Sequence, residues 1–323
     1  MRRRLLVTGG SGFLGASLVR KMVREGWQVR VLDDNSRGRP RRLVDVAADI
    51  EFVGGDVRDP DAVGRAVKGM DAVAHLAFIN GTEFFYSKPE LVLEVGVKGA
   101  LHTLDACLRH GVARYWLMSS SEVYQTPPVV PTDESAPMSI PDPLNPRYSY
   151  GGGKLISELL AVNYGRGRFE QVVIVRPHNV YGPDMGREHV IPQLIDRVRA
   201  ICEADDSETI ELPIRGDGSQ TRSFVFVDDF TDGCSLCFTR GEHLNIYHVG
   251  TEDEVSIASL AERVARTFGR AAAIVPSEAP AGETSRRCPD IGKARSLGYA
   301  PATPLEVGLQ RCKDWYVAHV GAA

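Results

Sequence analysis

The amino-acid sequence of 323 residues predicts an α/β fold with a doubly wound parallel sheet and a smaller second α/β domain. Apolar runs typical of strands alternate with helix-like segments as far as Gly182, and this alternation favours a parallel sheet. A glycine-rich turn joins the first such run to the first helix. Beyond Gly182 the alternation weakens, which indicates that a second domain begins there.

The first strand is predicted over Leu5–Val7, and the turn Thr8–Gly15 leads from it into a helix that begins near Ala16. Glycines in such a turn permit a tight bend, close approach of backbone to a pyrophosphate and close helix–strand contact. The first helical turn then points unpaired N–H groups at the phosphates. The pattern predicts a Rossmann-type dinucleotide site whose first contacts are Gly9, Gly12, Phe13, Leu14 and Gly15.

The second strand, Trp27–Asp34, ends in acid 18 positions after Gly15. A carboxylate at Asp33 or Asp34 can accept hydrogen bonds from both hydroxyls of an adenosine ribose and repels a 2′-phosphate, which favours NAD over NADP. Arg37 argues the other way, because a nearby guanidinium could hold that phosphate. The alternative is that both aspartates only form a turn.

Asp56 and Val57 follow the third predicted strand, Ile50–Gly55. An acid followed by a backbone N–H at this position could read the edge of an adenine, so both residues are predicted to bind the cofactor. Asp56 could equally cap the helix that is predicted over 60–67.

The fourth predicted strand, Asp71–Ala77, carries a histidine within an apolar run. His75 is therefore predicted to be a satisfied core residue rather than a ligand or a base. Leu76 and Ala77 lie at the end of this strand, where a small side chain lets a cofactor pass close by. We predict that both line the cofactor site.

The remaining elements complete the two predicted domains. Next come a helix over about 89–110, a fifth strand Arg114–Ser119, a loop with seven prolines over 127–146, a helix from Ser149 and a sixth strand Gln171–Arg176. Loops of this length in compact domains usually serve a site. The NAD-binding domain is predicted over 1–182 together with about 224–249, whose strand Asn245–Val249 rejoins the sheet. The substrate domain is predicted over 183–223 and 250–323, with helices at 190–201, 256–267 and 304–319 and a strand near 210–214.

Composition excludes several classes of function. A net charge of −4 and a pI near 6.1 give no electrostatic case for nucleic acid or an anionic membrane surface. No apolar run approaches the ~20 residues that span a bilayer, and a glycine-broken strand after Met1–Arg4 is unlike a signal peptide. Of the six cysteines, only Cys234 and Cys237 have CxxC spacing, and without a second such pair a zinc or other metal site is not expected. Both are therefore predicted to be small core residues. Unpaired cysteines in turn predict a reducing compartment, the cytoplasm.

Tyr150 and Lys154 are four residues apart on a predicted helix and therefore share one face. A phenol has a pKa near 10, and this pKa must fall by about three for the phenol to act as a base at pH 7. Such a fall requires the surroundings to favour the phenolate by roughly 4 kcal/mol. The Lys154 ammonium and a positive nicotinamide ring can supply this together, making Tyr150 a base for a sugar hydroxyl. Ser120, just after the fifth strand, could hydrogen-bond the same oxygen or only cap a turn.

Taken together, these motifs resemble the extended short-chain dehydrogenase/reductase family, which includes the nucleotide-sugar epimerases and dehydratases. The resemblance covers nearly the whole chain. It rests on the glycine turn, the acid at 33, the pair at 56–57, the YxxxK motif at 150–154 and the stretches 119–124, 176–183, 216–224 and 286–294.

By this resemblance, NAD stays bound while C4 of a nucleotide-diphosphate sugar is oxidised. Asn179, Arg222 and Arg287 are then expected to hold the diphosphate, which suits the forked donors of arginine. Both arginines could instead be surface residues. The resemblance also implies a homodimer through helices near 90–110 and 149–165.

Several departures from the family pattern bear on the substrate. Ser121-Glu122 stands where 4,6-dehydratases usually carry Asp-Glu, and serine is a poor acid for expelling a 6-hydroxyl, so dehydration is disfavoured. Both residues are expected to contact the sugar, and Glu122 could also remove a proton next to a 4-ketone and so permit epimerisation at C3 or C5. Each glycine of Gly151–Gly153 would destabilise a helix by about 1 kcal/mol relative to alanine, so the three together need a reason. They could leave room for a sugar with a larger C5 substituent, such as a heptose, or they could mark a kinked helix start. Gln125, where glycine is commoner, has no explanation in the sequence.

The sequence thus predicts an NAD-dependent nucleotide-sugar epimerase that acts at C4 of an NDP-hexose or NDP-heptose through a transient 4-keto sugar. The predicted catalytic residues are Ser120, Glu122, Tyr150 and Lys154, of which the last two also contact the cofactor. The alternatives are a 4,6-dehydratase, which is a lyase, a 4-oxidoreductase that releases the keto sugar, and a non-catalytic NAD-binding protein.

Overall fold

The computed structural model describes residues 3–278 and 284–321. The strands are β1 Arg4–Thr8, β2 Gln28–Asp33, β3 Ile50–Gly54, β4 Ala72–His75, β5 Arg114–Met118, β6 Gln171–Pro177, β7 Val180–Tyr181, β8 Thr209–Arg215, β9 Thr221–Ser223, β10 Val225–Phe226, β11 Asn245–Val249, β12 Glu254–Ser256, β13 Ala271–Ser277 and β14 Arg286–Arg287. The helices are α1 Phe13–Arg24, α2 Pro60–Val67, α3 Thr82–Ser87, α4 Pro89–Leu93, α5 Gly99–His110, α6 Ser149–Gly165, α7 Val190–Ala204, α8 Val227–Arg240, α9 Ile257–Thr267, α10 Gly292–Ser296 and α11 Leu305–Ala318.

Seven parallel strands form the central sheet in the order β11-β6-β5-β4-β1-β2-β3. This confirms the predicted doubly wound sheet and the return of β11 to its edge. Leu5, Leu6 and Val7 of the central strand β1 have no exposed surface, and burying such side chains stabilises the fold by about 1.5–3 kcal/mol for each large one. The strand order reverses beside β1, where ligands bind beyond the carboxyl ends of the strands.

Two hydrophobic clusters cover the faces of the sheet, and a third is built from residues between Tyr181 and Tyr316. This third cluster is the core of what we call the second region. The second region also holds the three-stranded sheet β12-β9-β14 and the strand pair β13-β8. Ile291, Ala294 and Tyr299 pack with the first cluster, so the chain returns to the sheet after residue 250. Because residues of both predicted domains contribute to this one cluster, the predicted domain boundaries stay a prediction.

Two cysteines and one histidine lie where the sequence predicts them. Cys234 and Cys237 are buried on α8. His75 is in the core as predicted, 2% exposed, and its Nδ1 lies 2.8 Å from the Thr8 hydroxyl, but it is only half satisfied because its buried Nε2 has no hydrogen-bond partner among the described residues. Within residues 3–278 and 284–321, no helix has the length and apolar character needed to cross a membrane.

The predicted helix over 89–110 is divided, because a π-helical turn over Glu94–Lys98 separates α4 from α5. Gly96 lies in this turn, and a Cβ on it would overlap the ring of Phe78. A π turn adds a residue without changing the apolar character of the segment, so hydrophobic spacing does not reveal it.

The proline-rich loop over 127–146, all of which the structure describes, contributes no residue to the cleft described below, contrary to the prediction that it serves a site. Its Ser139 N–H donates to the Val123 carbonyl at 3.1 Å, and its Glu134 carboxylate accepts the His248 N–H at 2.8 Å. The loop therefore braces the backbone behind the site.

Candidate active site

A cleft of about 1300 Å³ lies between the carboxyl ends of the sheet strands and the second region. All predicted cofactor, catalytic and substrate residues line it: Gly9, Gly12, Phe13, Leu14, Gly15, Asp33, Asp34, Asp56, Val57, Leu76, Ala77, Ser120, Ser121, Glu122, Tyr150, Lys154, Asn179, Arg222 and Arg287. The structure brings these residues together, while the role of each stays a prediction.

The glycine turn has the shape that a dinucleotide site requires. Gly9 has φ +71°, and a Cβ on it would lie 2.8 Å from the Ala77 nitrogen. A Cβ on Gly15 would overlap the Gly9 carbonyl. Gly12 precedes α1 and provides no side-chain cap, so the first N–H groups of this helix face the cleft without an acceptor from that position.

The two aspartates after β2 differ in their contacts. Asp33 is 8% exposed, and its carboxylate accepts the N–H groups of Ser11 and Asn35, both at 2.9 Å. Asp34 is exposed, and its carboxylate accepts the Ser36 N–H at 2.9 Å and hydroxyl at 2.6 Å. Asp34 therefore forms the turn given as the alternative, whereas Asp33 is fixed at the strand end where a ribose would lie.

Arginines after β2 connect this part of the cleft to the second region. Arg37 pairs with Glu188, and its guanidinium carbon lies 4.5 Å from the centroid of the Phe84 ring. Arg42 Nε lies 3.0 Å from a carboxylate oxygen of Asp184. We call these two ion pairs the arginine clamp. Because the charge of Arg37 is already paired, the clamp weakens the case that Arg37 holds a 2′-phosphate.

Asp56 pairs with its neighbour Arg58 at 2.6 Å and also accepts the Arg58 N–H at 2.8 Å. Burial raises the pKa of Asp56, but these contacts outweigh burial and lower it below its ordinary value. The alternative that Asp56 caps α2 is wrong, because Asp59 is the cap and accepts the Asp61 N–H at 2.9 Å.

Tyr150 is 7% exposed and lies between two aromatic rings. The ring centroids of Phe78 and Phe85 are each 5.1 Å from that of Tyr150, the first nearly perpendicular at 82° and the second stacked at 19°. Burial raises the pKa of Tyr150, while a hydrogen bond to the Ser120 hydroxyl opposes that rise. The apolar rings disfavour the phenolate, so the protein alone does not lower the pKa, and the predicted fall beside a nicotinamide ring stays a prediction.

Lys154 lies one helical turn after Tyr150, as predicted, but its closest partners are different. Its ammonium donates to the Met118 carbonyl at 2.7 Å and lies 4.0 Å from the centroid of the Phe78 ring. The centroid of the Tyr150 ring is 5.7 Å away. Burial lowers the pKa of Lys154 to about 7, and the charge of Glu158 opposes that effect.

Ser120 fulfils both roles that the sequence allows. Its hydroxyl oxygen accepts the Glu122 N–H at 3.1 Å and so caps the short 3-10 turn Ser121–Val123. Ser120 also faces the Tyr150 phenol and lowers its pKa, against the effect of burial. The next residue, Ser121, is 5% exposed and also lines the cleft.

Glu122 and Arg287, predicted for separate tasks, form an ion pair with each other. Arg287 also donates to the Thr284 hydroxyl at 3.2 Å. Burial raises the pKa of Glu122, but Arg287, and then Arg147 and Arg222, outweigh burial and hold it below its usual value. Glu122 is therefore an engaged carboxylate rather than the free base that the sequence suggested.

The other two predicted diphosphate ligands are tied to backbone. Arg222 donates to the Thr221 carbonyl at 2.8 Å and to the Thr284 carbonyl at 2.7 Å. The Asn179 amide donates to the Ser223 carbonyl at 3.0 Å. Arg222 is thus oriented by the protein, and the alternative of a surface arginine is wrong because its side chain lies in the cleft wall.

Gly151 makes room for Gln125 and not for a sugar. A Cβ on Gly151 would lie 2.5 Å from Gln125 Nε2 and 2.8 Å from the Glu122 carbonyl oxygen. Gln125 has φ +55°, and its amide donates to that same carbonyl at 2.6 Å. The side chain of Gln125 thus fills the space next to α6 that a glycine at 125 would leave open.

The other two glycines of α6 also face protein atoms. A Cβ on Gly153 would lie 2.9 Å from Phe78 Cζ, whereas one on Gly152 would lie 3.4 Å from Ile140 Cδ1. The helix runs without interruption over Ser149–Gly165. Both the predicted sugar space and the predicted kink are therefore contradicted.

Phe78, Phe85 and Arg147 line the cleft, although the sequence did not single them out. Phe78 directly follows Ala77 at the end of β4, so its position at a strand end could have drawn attention to it. No local pattern marks Phe85 or Arg147.

Comparison with known proteins places these features in a family. The model of the NAD dependent epimerase/dehydratase family matches residues 5–250. The chain is 32% identical over 311 residues to UDP-glucuronic acid decarboxylase 1 of Arabidopsis thaliana, covering 96% of this chain and 69% of the plant protein.

Two solved structures are similar over nearly the whole chain. The dTDP-glucose 4,6-dehydratase DesIV of Streptomyces venezuelae, with NAD bound, has a TM-score of 0.85 and 30% identity and covers 98% of both chains. The UDP-glucose 4-epimerase of Thermus thermophilus, in complex with NAD, has a TM-score of 0.84 and 26% identity, covering 99% of this chain and 100% of the epimerase.

Proposed function

This chain belongs to the NAD dependent epimerase/dehydratase family, and we propose that it is a 4-epimerase of a nucleotide-diphosphate sugar. Its cofactor is NAD. The observation that carries the proposal is that Ser120, Tyr150 and Lys154 line one cleft in which Glu122, the other candidate for proton transfer, is already paired with Arg287.

The residues of the cleft fit NAD. The uncapped start of α1 suits a pyrophosphate, and the fixed Asp33 carboxylate at the end of β2 suits an adenosine ribose. When bound, NAD supplies a hydride acceptor for C4 and then the donor that restores the alcohol. Its positive ring would also counter the effect of burial on the Tyr150 phenol.

In this mechanism Tyr150 takes the proton of the C4 hydroxyl while C4 loses hydride, which leaves a 4-keto sugar. Ser120 holds the reacting oxygen beside the phenol. The Lys154 ammonium stabilises the phenolate charge from one helical turn away. After the keto sugar has presented its other face, Tyr150 returns the proton to the C4 oxygen.

The contacts of Glu122 argue against a 4,6-dehydratase. Loss of a 6-hydroxyl needs an acid that protonates the departing oxygen. Ser121 is a poor acid, and the Glu122 carboxylate is held in its charged form by Arg287. The cleft therefore suits oxidation and reduction at C4 better than elimination.

A second candidate is decarboxylation of a nucleotide-diphosphate uronic acid, which the named plant relative carries out according to its name. The charge around Glu122 favours this candidate. Arg147, Arg222 and Arg287 all act on this one carboxylate, so this part of the cleft has the positive charge that would attract the carboxylate of a uronic acid. Oxidation at C4 places a ketone two carbons from the C6 carboxylate. Carbon dioxide then leaves with cleavage of the C5–C6 bond, the resulting enolate takes up a proton at C5, and return of the hydride to C4 gives the pentose.

Incubation with a panel of UDP-, dTDP-, GDP- and CDP-sugars, followed by NMR, separates these activities. A 4-epimer without net NADH supports the proposal, and a pentose with carbon dioxide supports the second candidate. A deoxy-keto product indicates a dehydratase, and accumulating keto sugar with NADH indicates an oxidoreductase. Tyr150→Phe should abolish turnover, and a fully active variant would contradict the proposed base.

We also propose a homodimer through α4 and α6. Leu93 on α4 and Ile156 and Leu159 on α6 are 37%, 39% and 51% exposed, which is unusual for large apolar side chains on neighbouring helices. Light scattering during size-exclusion chromatography tests this, since a monomer at micromolar concentration would contradict it.

A further inference from the structure

Phe78 contacts both side chains that carry the proposed proton transfer. Its ring centroid lies 4.0 Å from the Lys154 ammonium and 5.1 Å from the Tyr150 centroid. The planes of the two aromatic rings are 82° apart, an edge-to-face arrangement. One side chain from the loop after β4 thus touches both the proposed base and its neighbouring cation.

Two glycines on different helices make room for this ring. A Cβ on Gly96 would overlap Phe78 Cζ, and a Cβ on Gly153 would lie 2.9 Å from the same atom. Glycine is unfavourable inside a helix, and Gly96 also lies in the π-helical turn. The chain thus carries two weak helical positions and an irregular turn around a single aromatic ring.

We propose that Phe78 is the positioning residue for the Tyr150–Lys154 pair, and that Gly96 and Gly153 form a socket that keeps its ring there. This rests on the proposed function, in which Tyr150 is the base. A buried ammonium has lost its water, and the face of an aromatic ring partly replaces that water. The ring thereby favours the charged form of Lys154, which in turn favours the phenolate.

Within the part of the chain that the structure describes, few other groups can hold the Lys154 ammonium. Burial lowers the pKa of Lys154 to about 7, and the Met118 carbonyl is its hydrogen-bond acceptor. The nearby anion on α6, Glu158, is itself paired with Arg176. The titratable groups that face Lys154 or Tyr150 from the packed elements are Glu158 on α6, His75 on β4 and Glu122 after β5.

Replacing Phe78 with leucine keeps an apolar side chain and removes the aromatic face. For Phe78→Leu we expect kcat to fall at least tenfold while KM for the sugar changes less than threefold. The rising limb of kcat against pH should move up by at least half a pH unit, because a less stable ammonium makes the phenol harder to ionise.

Phe85→Leu is the matched control. Phe85 stacks on Tyr150 at the same centroid distance of 5.1 Å, but only Phe78 and Tyr150 among the described aromatic rings lie near the Lys154 ammonium. This variant should lose some activity and leave the rising limb within 0.2 of a pH unit. Equal shifts in both variants would overturn the proposal, as would a Phe78→Leu enzyme that is merely less stable with an unchanged pH profile.

The socket provides a test that leaves Phe78 in place. Gly153→Ala should displace the ring and reproduce the pH shift, whereas Gly152→Ala, whose Cβ meets Ile140 at 3.4 Å, should not. In a Phe78→Leu background, Gly153→Ala should add less than a twofold loss. Additive losses would show that Gly153 acts independently of Phe78.

An NMR titration of 13Cε-labelled lysine separates this proposal from the proposed function. The Lys154 signal, assigned with Lys154→Met, should titrate at least half a pH unit lower in Phe78→Leu than in the original enzyme. That result would support the role of Phe78 at Lys154 even if the enzyme turned over no nucleotide sugar. A lack of turnover would contradict only the proposed epimerase activity. An unchanged Lys154 titration would refute the role of Phe78 whatever the activity.

Discussion

Two glutamate–arginine pairs near the carboxyl ends of the strands differ in how completely they are enclosed. In the pair Glu158–Arg176 both side chains are 2% exposed, and two hydrogen bonds of 2.9 and 2.6 Å join them. In the pair Glu122–Arg287 the arginine is 9% and the glutamate 27% exposed. Both residues of this second pair line the cleft.

The partners of the two arginines show what the difference means. Besides Glu158, Arg176 donates to the Tyr124 hydroxyl and the Glu134 carbonyl, and Ser119 also donates to Glu158. By contrast, Arg287 Nε is buried without a hydrogen-bond partner among the described residues. The closed pair acts as scaffold, whereas the open pair lies in the cleft wall and is held by fewer partners, which suits a place that an anionic substrate would contact.

Breaking the closed pair should have the largest effect on stability. Arg176→Met leaves Glu158 buried without its counter-charge, so we expect the free energy of unfolding to fall by about 3–5 kcal/mol. Urea unfolding measures this loss. The double variant Glu158→Gln with Arg176→Met should recover part of it, and a loss below about 1 kcal/mol for the single variant would contradict the scaffold role.

The backbone that carries the open pair can be disturbed from α6. In Gly151→Ala the new Cβ would meet Gln125 and the Glu122 carbonyl, so we expect destabilisation by about 1–3 kcal/mol. Gly152→Ala is the control and should be neutral or stabilising. Changing Gln125 to glycine in the Gly151→Ala background should recover part of the loss, and strictly additive thermal-unfolding data would contradict a direct clash.

Removing the charge of the open pair should change stability by less than about 1 kcal/mol, because the pair is partly exposed. The pKa of Glu122 is held below its ordinary 4.5. Its contribution is therefore present above pH 4.5 and disappears as pH falls through the lower folded-state pKa. Urea unfolding of Glu122→Gln and the original enzyme between pH 7 and 3 should give curves that converge at acid pH. A gap that widens toward acid pH would contradict this sign.

The pair Arg37–Glu188 of the arginine clamp is still more exposed, and its loss should have the smallest effect on stability, within about 0.2–1 kcal/mol for Arg37→Ala. Retention of NAD should nevertheless weaken, because Arg37 joins the cofactor end of the cleft to Glu188. The NAD content after dialysis at low and high salt measures this. Arg263→Ala, which breaks a comparable pair with Glu306 away from the cleft, should keep its cofactor.

The sequence predicted the sheet and the lining of the cleft well, because both follow from local patterns. Apolar spacing located the strands, and polar residues at the ends of parallel strands must meet at one edge. The partners of these residues were harder to predict. Glu122 and Arg287 are 165 positions apart, and no local pattern links them.

Two further features of the site could not be predicted for the same physical reason. Gly151 was interpreted as space for a sugar, but the atom that fills this space belongs to Gln125 on another segment. The sequence likewise contains no sign that the rings of Phe78 and Phe85 bury the Tyr150 phenol and so raise its pKa. In both cases side chains from distant parts of the chain decide the environment.

Strand β10 has a mechanical consequence for the whole molecule. Its two residues belong to different hydrophobic clusters, since Val225 packs beneath the sheet and Phe226 packs in the second region. Pulling the two halves apart would drag adjacent residues out of both cores at once. This short strand therefore couples the two cores, so that a substitution that loosens one of them is felt by the other.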